Sequence, residues 1–424
     1  MNFRESESYL LSLGNEVAAM KLGLENIRTL LHELGDPQNN YLKIQVAGTN
    51  GKGSVCAFVG SICREAGIST GIFTSPHLVS VTERIQIYGR PITEDEFAVY
   101  ADKVRDASEN LLADGRIEYR PTFFEQITAI ALTAFAGAGG RLAILETGLG
   151  GRLDATTAAR AEIAAITQID FDHQEYLGQT LTEIASEKAA IIHDSSAVVV
   201  GGQNQEAGTL IRKRLAQLGI EARLGDDVAV EADGSGIRFT TAFDRYEASR
   251  LGLAGRHQIE NAKVAILLAE TLSSYFTVSS HNISAGLANA HHPGRLERQG
   301  RFLFDGAHNA AGAAALRAYL DEEIRSSLTI VFAAMREKDI AAVADRLFPK
   351  ASVLVLTSPD NPRAMPAEEL AEFAVGHSDQ LSVYLTDRVR DALDIAQELT
   401  PGDGTILITG SLYLVGEAKK ILNN

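Results

Sequence analysis

The chain has 424 residues, of which 45% are hydrophobic, and a chain of this length usually divides its core between two domains. Lys and Arg together number 39 and Asp and Glu 55, which gives a net charge of −16. This charge repels a phosphate backbone and excludes nucleic acid as an expected partner. An anionic substrate would need metal ions and a few basic side chains to make a local positive site.

The start of the chain has neither a basic leader nor a long apolar run, and no stretch reaches the roughly 20 apolar residues of a membrane span. Cys56 and Cys63 lie two turns apart on one predicted helix. Their Cα atoms would be about 10 Å apart, which is too far for a disulfide. We therefore expect a cytoplasmic protein with reduced cysteines.

From Lys43 onward, short runs of Val, Ile and Leu alternate with longer segments of helical period, a pattern typical of parallel strands with crossover helices. Four runs are predicted as central strands, apolar on both faces: KIQVAG, TGIFTS, RLAILETG and IAAITQ. Between Leu224 and Leu253, apolar residues alternate with small or polar ones around the turn-forming segment Asp233-Gly234-Ser235-Gly236. This alternation predicts an antiparallel hairpin at an edge.

A second series of strands begins at Phe302 with FLFDG and continues with LTIVFAA, SVLVLTS, LSVYL and TILITG. Pro293 and Gly294 interrupt the helical pattern just before it. We predict an α/β protein with two domains. Residues 1–297 would form a P-loop-type, mostly parallel sheet flanked by helices, with a small antiparallel region, and residues 298–424 a Rossmann-like α/β domain.

The segment GTNGKGS, from Gly48 to Ser54, follows the first strand and opens a helix. Its glycines let backbone N–H groups turn toward an anion, and Lys52 can reach the outer phosphates of a nucleotide. Ser54 is then a natural Mg²⁺ ligand. The alternative is a glycine turn with a solvated lysine, against which the strand, the helix and the hydroxyl argue together.

Acidic side chains follow two neighbouring predicted strands. Glu146 ends LAILE, and Asp170, Asp172 and His173 follow IAAITQ. Ligands bind beyond the C-terminal ends of strands in open α/β sheets, so Glu146 has a metal-ligand position and one of the other three should complete the shell. Taken alone, however, a histidine here is more often a structural residue with a satisfied partner.

Lys188 lies on a predicted helix that begins near Thr180 and carries apolar positions suited to burial. A buried, unpaired lysine would lose its charge, so the amine must be paired, exposed or chemically modified. Because Glu183 and Glu187 are nearby, the residues alone favour an exposed amine.

Together these segments resemble the folylpolyglutamate synthase/dihydrofolate synthase family, a branch of the Mur ligase superfamily. The family's motifs occur in the family's order: GTNGKGS, TSPHL, ERI, TFFE, LGGRLDAT, DHQEYLG, SEKA, GRHQIENA, PGRLE, DGAHN and TGSLYLVGE. They extend from Gly48 to Glu417, and the combination is specific. The resemblance implies a monomeric, ATP-dependent ligase of folate biosynthesis and one-carbon metabolism, which adds L-glutamate to dihydropteroate or a reduced folate through an acyl phosphate.

The resemblance also implies roles for individual residues. Lys52, Lys188 and His173 would be catalytic, and Lys188 would be carbamylated, which makes a costly buried cation into an oxygen ligand and reverses the exposed interpretation. ATP would contact Gly48, Thr49, Asn50, Gly51, Lys52, Gly53, Ser54, Asn261, Arg295 and Asp305. Two Mg²⁺ ions would be held by Ser54, Glu146, His173 and Lys188. The pterin or folate would contact Ser75, Pro76, His77, Thr122, Phe124 and Asp154, and glutamate would contact His308 and Ser411.

Two other functions remain open. A ligase of the same superfamily that acts on cell-wall precursors would use a nucleotide-sugar peptide, and the TSPHL and TFFE segments argue against it. A P-loop switch or ATPase would hydrolyse ATP without forming an amide, and it leaves DGAHN and TGSLY unexplained. Within the family, the choice between dihydropteroate and reduced folate is also open.

Overall fold

The computed structural model describes residues 1–14, 23–233, 236–377 and 381–423. The chain divides into two compact units. The first unit comprises Met1–Ile169, Leu177–Gly252 and Glu260–His291, and the second comprises Asp170–Tyr176, Leu253–Ile259 and His292–Asn424. The predicted division after residue 297 stays a prediction.

The chain up to residue 291 contains most of the helices and strands. In chain order they are α1 (Phe3–Ser12), α2 (Glu25–Glu33), β1 (Leu42–Ala47), α3 (Lys52–Glu65), β2 (Thr70–Phe73), β3 (Ile85–Ile87), β4 (Arg90–Pro91), α4 (Glu94–Ala113), α5 (Phe123–Gly137), β5 (Leu142–Glu146), β6 (Ile163–Ile166), α6 (Gln174–Leu177), α7 (Leu181–Ala189), β7 (Ala197–Val200), α8 (Gln205–Leu218), β8 (Ala222–Leu224), β9 (Ala229–Asp233), β10 (Gly236–Thr240), β11 (Arg245–Ala248), α9 (His257–Leu272) and α10 (Ser280–Asn289).

The large sheet of the first unit is mostly parallel. Within the described residues it has eight strands, in the order β4-β3-β2-β5-β1-β6-β7-β8. All pairs from β2 to β8 are parallel, and β3 and β4 add antiparallel pairs at one edge. The four runs predicted as central strands are β1, β2, β5 and β6, and nearly all of their residues are buried. Because β1, β5 and β6 run in parallel, their carboxyl ends meet at one sheet edge, where the phosphate loop begins.

The alternating segment forms a small antiparallel sheet. Its order is β11-β10-β9 in the part of the chain that the structure describes, and the predicted hairpin of β9 and β10 is confirmed, with Val230 opposite Phe239. Residues Gly234 and Ser235 of the predicted turn lie outside the described ranges. Among the described residues, none of these three strands pairs with a strand of the large sheet, so the segment is a sheet of its own and not an edge of the large one.

The chain from residue 292 onward forms the second α/β sheet. Its elements are β12 (Glu297–Gln299), β13 (Phe302–Phe304), α11 (Ala310–Glu323), β14 (Leu328–Phe332), α12 (Ile340–Leu347), β15 (Val353–Leu356), α13 (Ala367–Ala371), β16 (Ser382–Leu385), α14 (Val389–Leu399), β17 (Thr405–Thr409) and α15 (Leu412–Leu422). The strands pair in the order β12-β13-β17-β14-β15-β16, and all pairs are parallel except β12 with β13. All five strands predicted for this sheet are present.

Helix α3 is held in the first unit by a close contact with α10. A Cβ atom added at Gly286 on α10 would lie 2.5 Å from Cα and 2.6 Å from the backbone nitrogen of Ile62. Cys56 and Cys63 are buried free thiols on the same helix, as the sequence predicts. Among helices in the described ranges, none has the length and apolar character for a membrane crossing.

We predict that Gly286→Ala lowers the free energy of unfolding by about 1 to 3 kcal/mol, because the added methyl group meets backbone atoms and not a flexible side chain. Urea denaturation, followed by circular dichroism, measures this change. Gly402→Ala is the matched control, because a Cβ atom there would meet no atom within 4 Å. Equal effects of the two substitutions would contradict the close packing of α10 on α3.

Candidate active site

The loop between β1 and α3 requires glycine at two positions. Gly48 and Gly51 have φ angles of 152° and 91°, which side chains rarely adopt. A Cβ atom at Gly48 would lie 1.9 Å from Oγ1 of Thr167, and one at Gly51 would lie 2.2 Å from Oδ1 of Asn261. The loop therefore packs closely against the end of β6. Asn261, the predicted adenine contact, lies beside the loop at Gly51.

The loop leads into a helix start suited to an anion. The N–H groups of Thr49 and Asn50 donate to the carbonyl of Gln168 at 2.9 and 3.2 Å, which fixes the loop's path. Helix α3 then begins at Lys52, and Gly51 before it contributes no side-chain cap. The first turn thus presents partial positive charge from its N–H groups, and Ser54 is buried on that turn.

Two lysine amines meet at the carbonyl oxygen of Gly48. Nζ of Lys52 donates to it at 3.1 Å and to the carbonyl of Thr49 at the same distance, while Nζ of Lys188 donates to it at 2.9 Å. Lys188 is only 4% exposed, so the exposed position favoured by the residues alone is wrong. Ile184 on the same helix is completely buried. Because Lys188 follows it by one turn, both side chains lie on the face of the helix that points into the protein.

Glu146 connects the end of β5 to the TSPHL loop. It is buried, and its Oε2 accepts a hydrogen bond from the backbone N–H of Ser75 at 3.1 Å. Among the described residues there is no cluster of three or more His, Cys, Asp or Glu that could hold a metal ion. The hydroxyl of Ser54 and the carboxylate of Glu146 still suit Mg²⁺, since this ion commonly takes one or two protein oxygens and completes its shell with waters and phosphate oxygens.

Two of the residues predicted for the pterin pocket lie at the start of α5. Thr122 caps this helix by accepting a hydrogen bond from the N–H of Glu125 at 3.2 Å. Phe124 packs closely against Gly148. A Cβ atom added at Gly148 would lie 2.5 Å from Cζ of the Phe124 ring. The ring centroids of Phe124 and Phe73 are 5.8 Å apart. Part of the Phe124 ring therefore packs in the hydrophobic core.

Asp154, also predicted for the pterin pocket, organises its own loop. Its carboxylate accepts hydrogen bonds from the N–H groups of Leu149 and Thr156, each at 3.0 Å. The side chain is buried, and burial raises the pKa of this carboxyl above its ordinary value, although these hydrogen bonds oppose the shift. Its contact with a pterin stays a prediction.

The second unit contains a partly buried polar cluster around Asp172, formed with His173, His308, Asn309 and Lys338. Oδ1 of Asp172 is 2.6 Å from Nζ of Lys338, and its Oδ2 accepts from Nδ2 of Asn309 at 3.2 Å and lies 3.5 Å from Nε2 of His308. Burial alone would raise the pKa of the Asp172 carboxyl, but His308 and Lys338 outweigh it and hold the pKa well below its usual range. Asp172 is therefore a partly buried anion.

Within the Asp172 cluster, the structure brings together two predicted site residues. Nε2 of His173, predicted as a metal ligand, lies 3.2 Å from Nζ of Lys338, and because an ammonium only donates, this ring nitrogen accepts. Nδ1 of His308, predicted for glutamate, faces the carbonyl of Gly306 at 2.8 Å. Sequence reasoning missed Lys338. Lys338 could have been found from its position, because it follows the apolar strand LTIVFAA and so lies near the C-terminal edge of the predicted sheet, where ligands bind.

The remaining predicted residues of the second unit have local roles. Asp305 accepts hydrogen bonds from the N–H groups of Leu296 and Ala307, each at 2.9 Å, and burial raises its pKa. It thus joins the PGRLE and DGAHN segments, which contain Arg295 and His308. Ser411 is buried and caps α15.

Comparison with known proteins first defines the class. Residues 46–269 match the family described as Mur ligase middle domain, and residues 290–421 match dihydrofolate synthetase, C-terminal domain. The first match contains the phosphate loop, Glu146 and Lys188, and the second contains His308, Lys338 and Ser411. The two matches follow one another along the chain, in agreement with a ligase built from two parts.

Individual relatives show which ligases of this class the chain is similar to. The chain is 34% identical to the dihydrofolate synthase/folylpolyglutamate synthase of Bacillus subtilis, over 95% of each chain. It is 34% identical to a probable bifunctional folylpolyglutamate synthase/dihydropteroate synthase of Haloferax volcanii, over 99% of this chain but 50% of that protein. The structure of Mycobacterium tuberculosis folylpolyglutamate synthase with ADP and AMPPCP has a TM-score of 0.88 and 32% identity, over 95% of this chain and 96% of that one. The chain therefore belongs to the dihydrofolate synthase/folylpolyglutamate synthase family of ATP-dependent ligases.

We predict that Lys338→Met lowers the free energy of unfolding by about 2 to 4 kcal/mol, because it leaves the partly buried Asp172 carboxylate without its ammonium partner. The side chains of Asp172 and Lys338 are each only 11% exposed. The matched control is Arg336→Met, which removes a surface pair with Glu369 whose side chains are about half exposed and should cost at most about 1 kcal/mol. Urea denaturation compares the two variants, and a Lys338→Met cost no larger than the control's would refute the assignment.

Proposed function

We propose that this chain joins the amine of L-glutamate to a free carboxylate of dihydropteroate, of a reduced folate, or of both, and converts ATP to ADP and phosphate. Family membership supports the reaction class. The observation that carries the assignment of the site is the meeting of Lys52 and Lys188 at the Gly48 carbonyl, on a phosphate loop at the sheet edge where β5 ends in Glu146.

The reaction requires activation of the carboxylate. A carboxylate is a poor acyl donor, because its leaving group would be an oxide ion. Transfer of the terminal phosphate of ATP to the carboxylate gives an acyl phosphate, and the glutamate amine then attacks the carbonyl carbon, so that phosphate leaves as the amide forms. This sequence needs no protein nucleophile, so the protein's contribution is binding, orientation and charge stabilisation.

The phosphate loop would stabilise the charge that develops during phosphoryl transfer. Lys52 would exchange its carbonyl partners for the outer phosphate oxygens, and the N–H groups at the start of α3 would bind the inner ones. Ser54 and Glu146 would hold Mg²⁺, which neutralises phosphate charge when bound. Asn261, beside Gly51, would contact the adenine.

The burial of Lys188 favours its carbamylation. The ammonium first loses a proton, and the free amine then attacks the carbon of CO₂, forms an N–C bond as one C=O π bond opens, and releases a second proton. The product is an anionic carbamate, so an oxygen donor replaces a buried cation. The carbamate nitrogen keeps one hydrogen, so it can still donate to the Gly48 carbonyl. A carbamate at Lys188 would supply oxygen ligands for a second metal ion.

In the second unit, we assign glutamate recognition to the residues around Asp172. His308 and Ser411 are the residues implied for glutamate, and Lys338 adds a cation suited to a carboxylate of the amino acid. Asn309 and Asp172 hold Lys338 and His308 in place. His173 is proposed as a metal ligand, and Arg295 and Asp305 as further ATP residues.

We predict ATP-dependent formation of an amide from L-glutamate with dihydropteroate, with tetrahydrofolate, or with both, measured in parallel by mass spectrometry of the product. Lys52→Ala should lower kcat by about 10²- to 10³-fold, because it removes a charge that stabilises the transition state. Lys213→Ala, at an exposed position on α8, is the control and should retain full activity.

The same assay separates the alternatives. Turnover with one acceptor identifies it, and turnover with both establishes a bifunctional enzyme. ATP hydrolysis without any amide would favour a P-loop ATPase, and an amide formed only with a nucleotide-sugar peptide would favour a cell-wall ligase.

We also predict that protein equilibrated with ¹³C-bicarbonate shows a carbamate carbon signal by NMR, and that Lys188→Gln abolishes both this signal and ligation. Lys213→Gln should change neither. Removal of CO₂ should lower the activity of the unchanged protein, and bicarbonate should restore it. Full activity without CO₂, together with no carbamate signal, would leave Lys188 as an unmodified ammonium.

A further inference from the structure

Arg84 connects the two segments that are predicted to bind the pterin. Its side chain is only 2% exposed, and its Nε donates a hydrogen bond to Nδ1 of His77 at 2.8 Å. Its guanidinium carbon lies 5.2 Å from the ring centroid of Phe123, the first residue of α5, which stands between Thr122 and Phe124. One buried cation therefore contacts both the TSPHL loop and the start of α5.

This contact determines which nitrogen of His77 carries the proton. A guanidinium N–H can only donate, so Nδ1 of His77 accepts, and the proton of the neutral imidazole lies on Nε2. Burial, together with the positive charge of Arg84, lowers the pKa of His77 to about 3. The ring is therefore neutral and too weakly basic to be a general base near neutral pH.

The neighbouring carboxylates have other partners. Glu83 accepts hydrogen bonds from the N–H groups of Leu78, Val79 and Ser80 at 2.8 to 3.0 Å, and Glu146 accepts from Ser75. In the part of the chain that the structure describes, Arg84 is the charged side chain in contact with His77, and Nε2 of His77 has no hydrogen-bond partner. His77 thus has one nitrogen committed to the protein and one N–H available to a ligand.

We propose that His77 donates a hydrogen bond from Nε2 to a lone-pair atom of the pterin-bearing acceptor, and that Arg84 is the positioning residue that fixes this tautomer. The inference rests on the proposed function, since it takes the TSPHL loop and the start of α5 as the acceptor site. It gives the site a specificity rule. An acceptor with a carbonyl oxygen or an unprotonated ring nitrogen at this place binds, and one with an N–H there is rejected because two donors would face each other.

The kinetic test compares His77→Gln with His77→Phe. Glutamine keeps an N–H donor, whereas phenylalanine keeps the ring without it. We expect kcat/KM for the acceptor to fall by about 10- to 100-fold in His77→Phe and by a clearly smaller factor in His77→Gln, where the conservative change restores a donor, with KM for ATP constant in both. Equal losses in the two variants would overturn the role of the Nε2 donor.

The spectroscopic test observes the tautomer directly in the full-length protein. With ¹⁵N-labelled histidine, the His77 signal is identified by its loss in His77→Gln. It should report the neutral Nε2–H form throughout about pH 5 to 8, whereas in Arg84→Met, where no donor holds Nδ1 as an acceptor, the Nδ1–H form should appear as well. An imidazolium or an Nδ1–H form of His77 in the unchanged protein would refute the positioning role.

These readouts separate the inference from the function on which it rests. If no amide forms with either acceptor, the proposed function fails, while the histidine spectrum still decides whether Arg84 fixes His77. If the amide forms but His77→Phe and His77→Gln behave alike, the inference alone fails. If Arg84→Met does not fold, as judged by circular dichroism, the spectrum of the unchanged protein and the two His77 variants still give the answer.

Discussion

The carbonyl oxygen of Gly48 is the point on which the first unit's site depends. It accepts hydrogen bonds from two lysines that are 136 positions apart in the chain, Lys52 on α3 and Lys188 on α7. Such a meeting requires a backbone turn that only glycine makes without strain, and a side chain at this position would overlap Thr167. The parallel order of β5, β1 and β6 supplies the rest, because it places three strand ends side by side.

Because the net charge is −16, the cationic side chains that bind an anion must lie close to it. In the first unit, positive charge is concentrated at the phosphate loop by two amines that share one acceptor. In the second unit, Lys338 is partly buried beside Asp172, whose opposite charge holds the ammonium in place and weakens its field. An acidic protein can thus bind anionic substrates, because the charges that matter act over short distances in partly buried surroundings, where solvent and salt screen them little.

Much of this architecture could be predicted from local patterns. The central strands, the second sheet, the helix that follows the phosphate loop and the reduced cysteines all follow from apolar periodicity and spacing. The exceptions involve partners distant in sequence. The burial of Lys188 depends on a carbonyl 140 residues away, and the pairing of Lys338 depends on a carboxylate 166 residues away. No local sequence pattern predicts where such side chains lie in the fold. The family resemblance implied the burial of Lys188 but not the pairing of Lys338.

The two cysteines of the chain have a practical consequence. Both lie on α3 without exposure to solvent, and burial raises the pKa of the Cys63 thiol to about 12 and that of Cys56 well above its ordinary value. Because alkylating reagents and disulfides react with thiolates that they can reach, the folded protein resists both. A cysteine introduced on the surface would therefore be the reactive thiol, and fluorescent or spin labels could be attached at chosen positions without replacing either native residue.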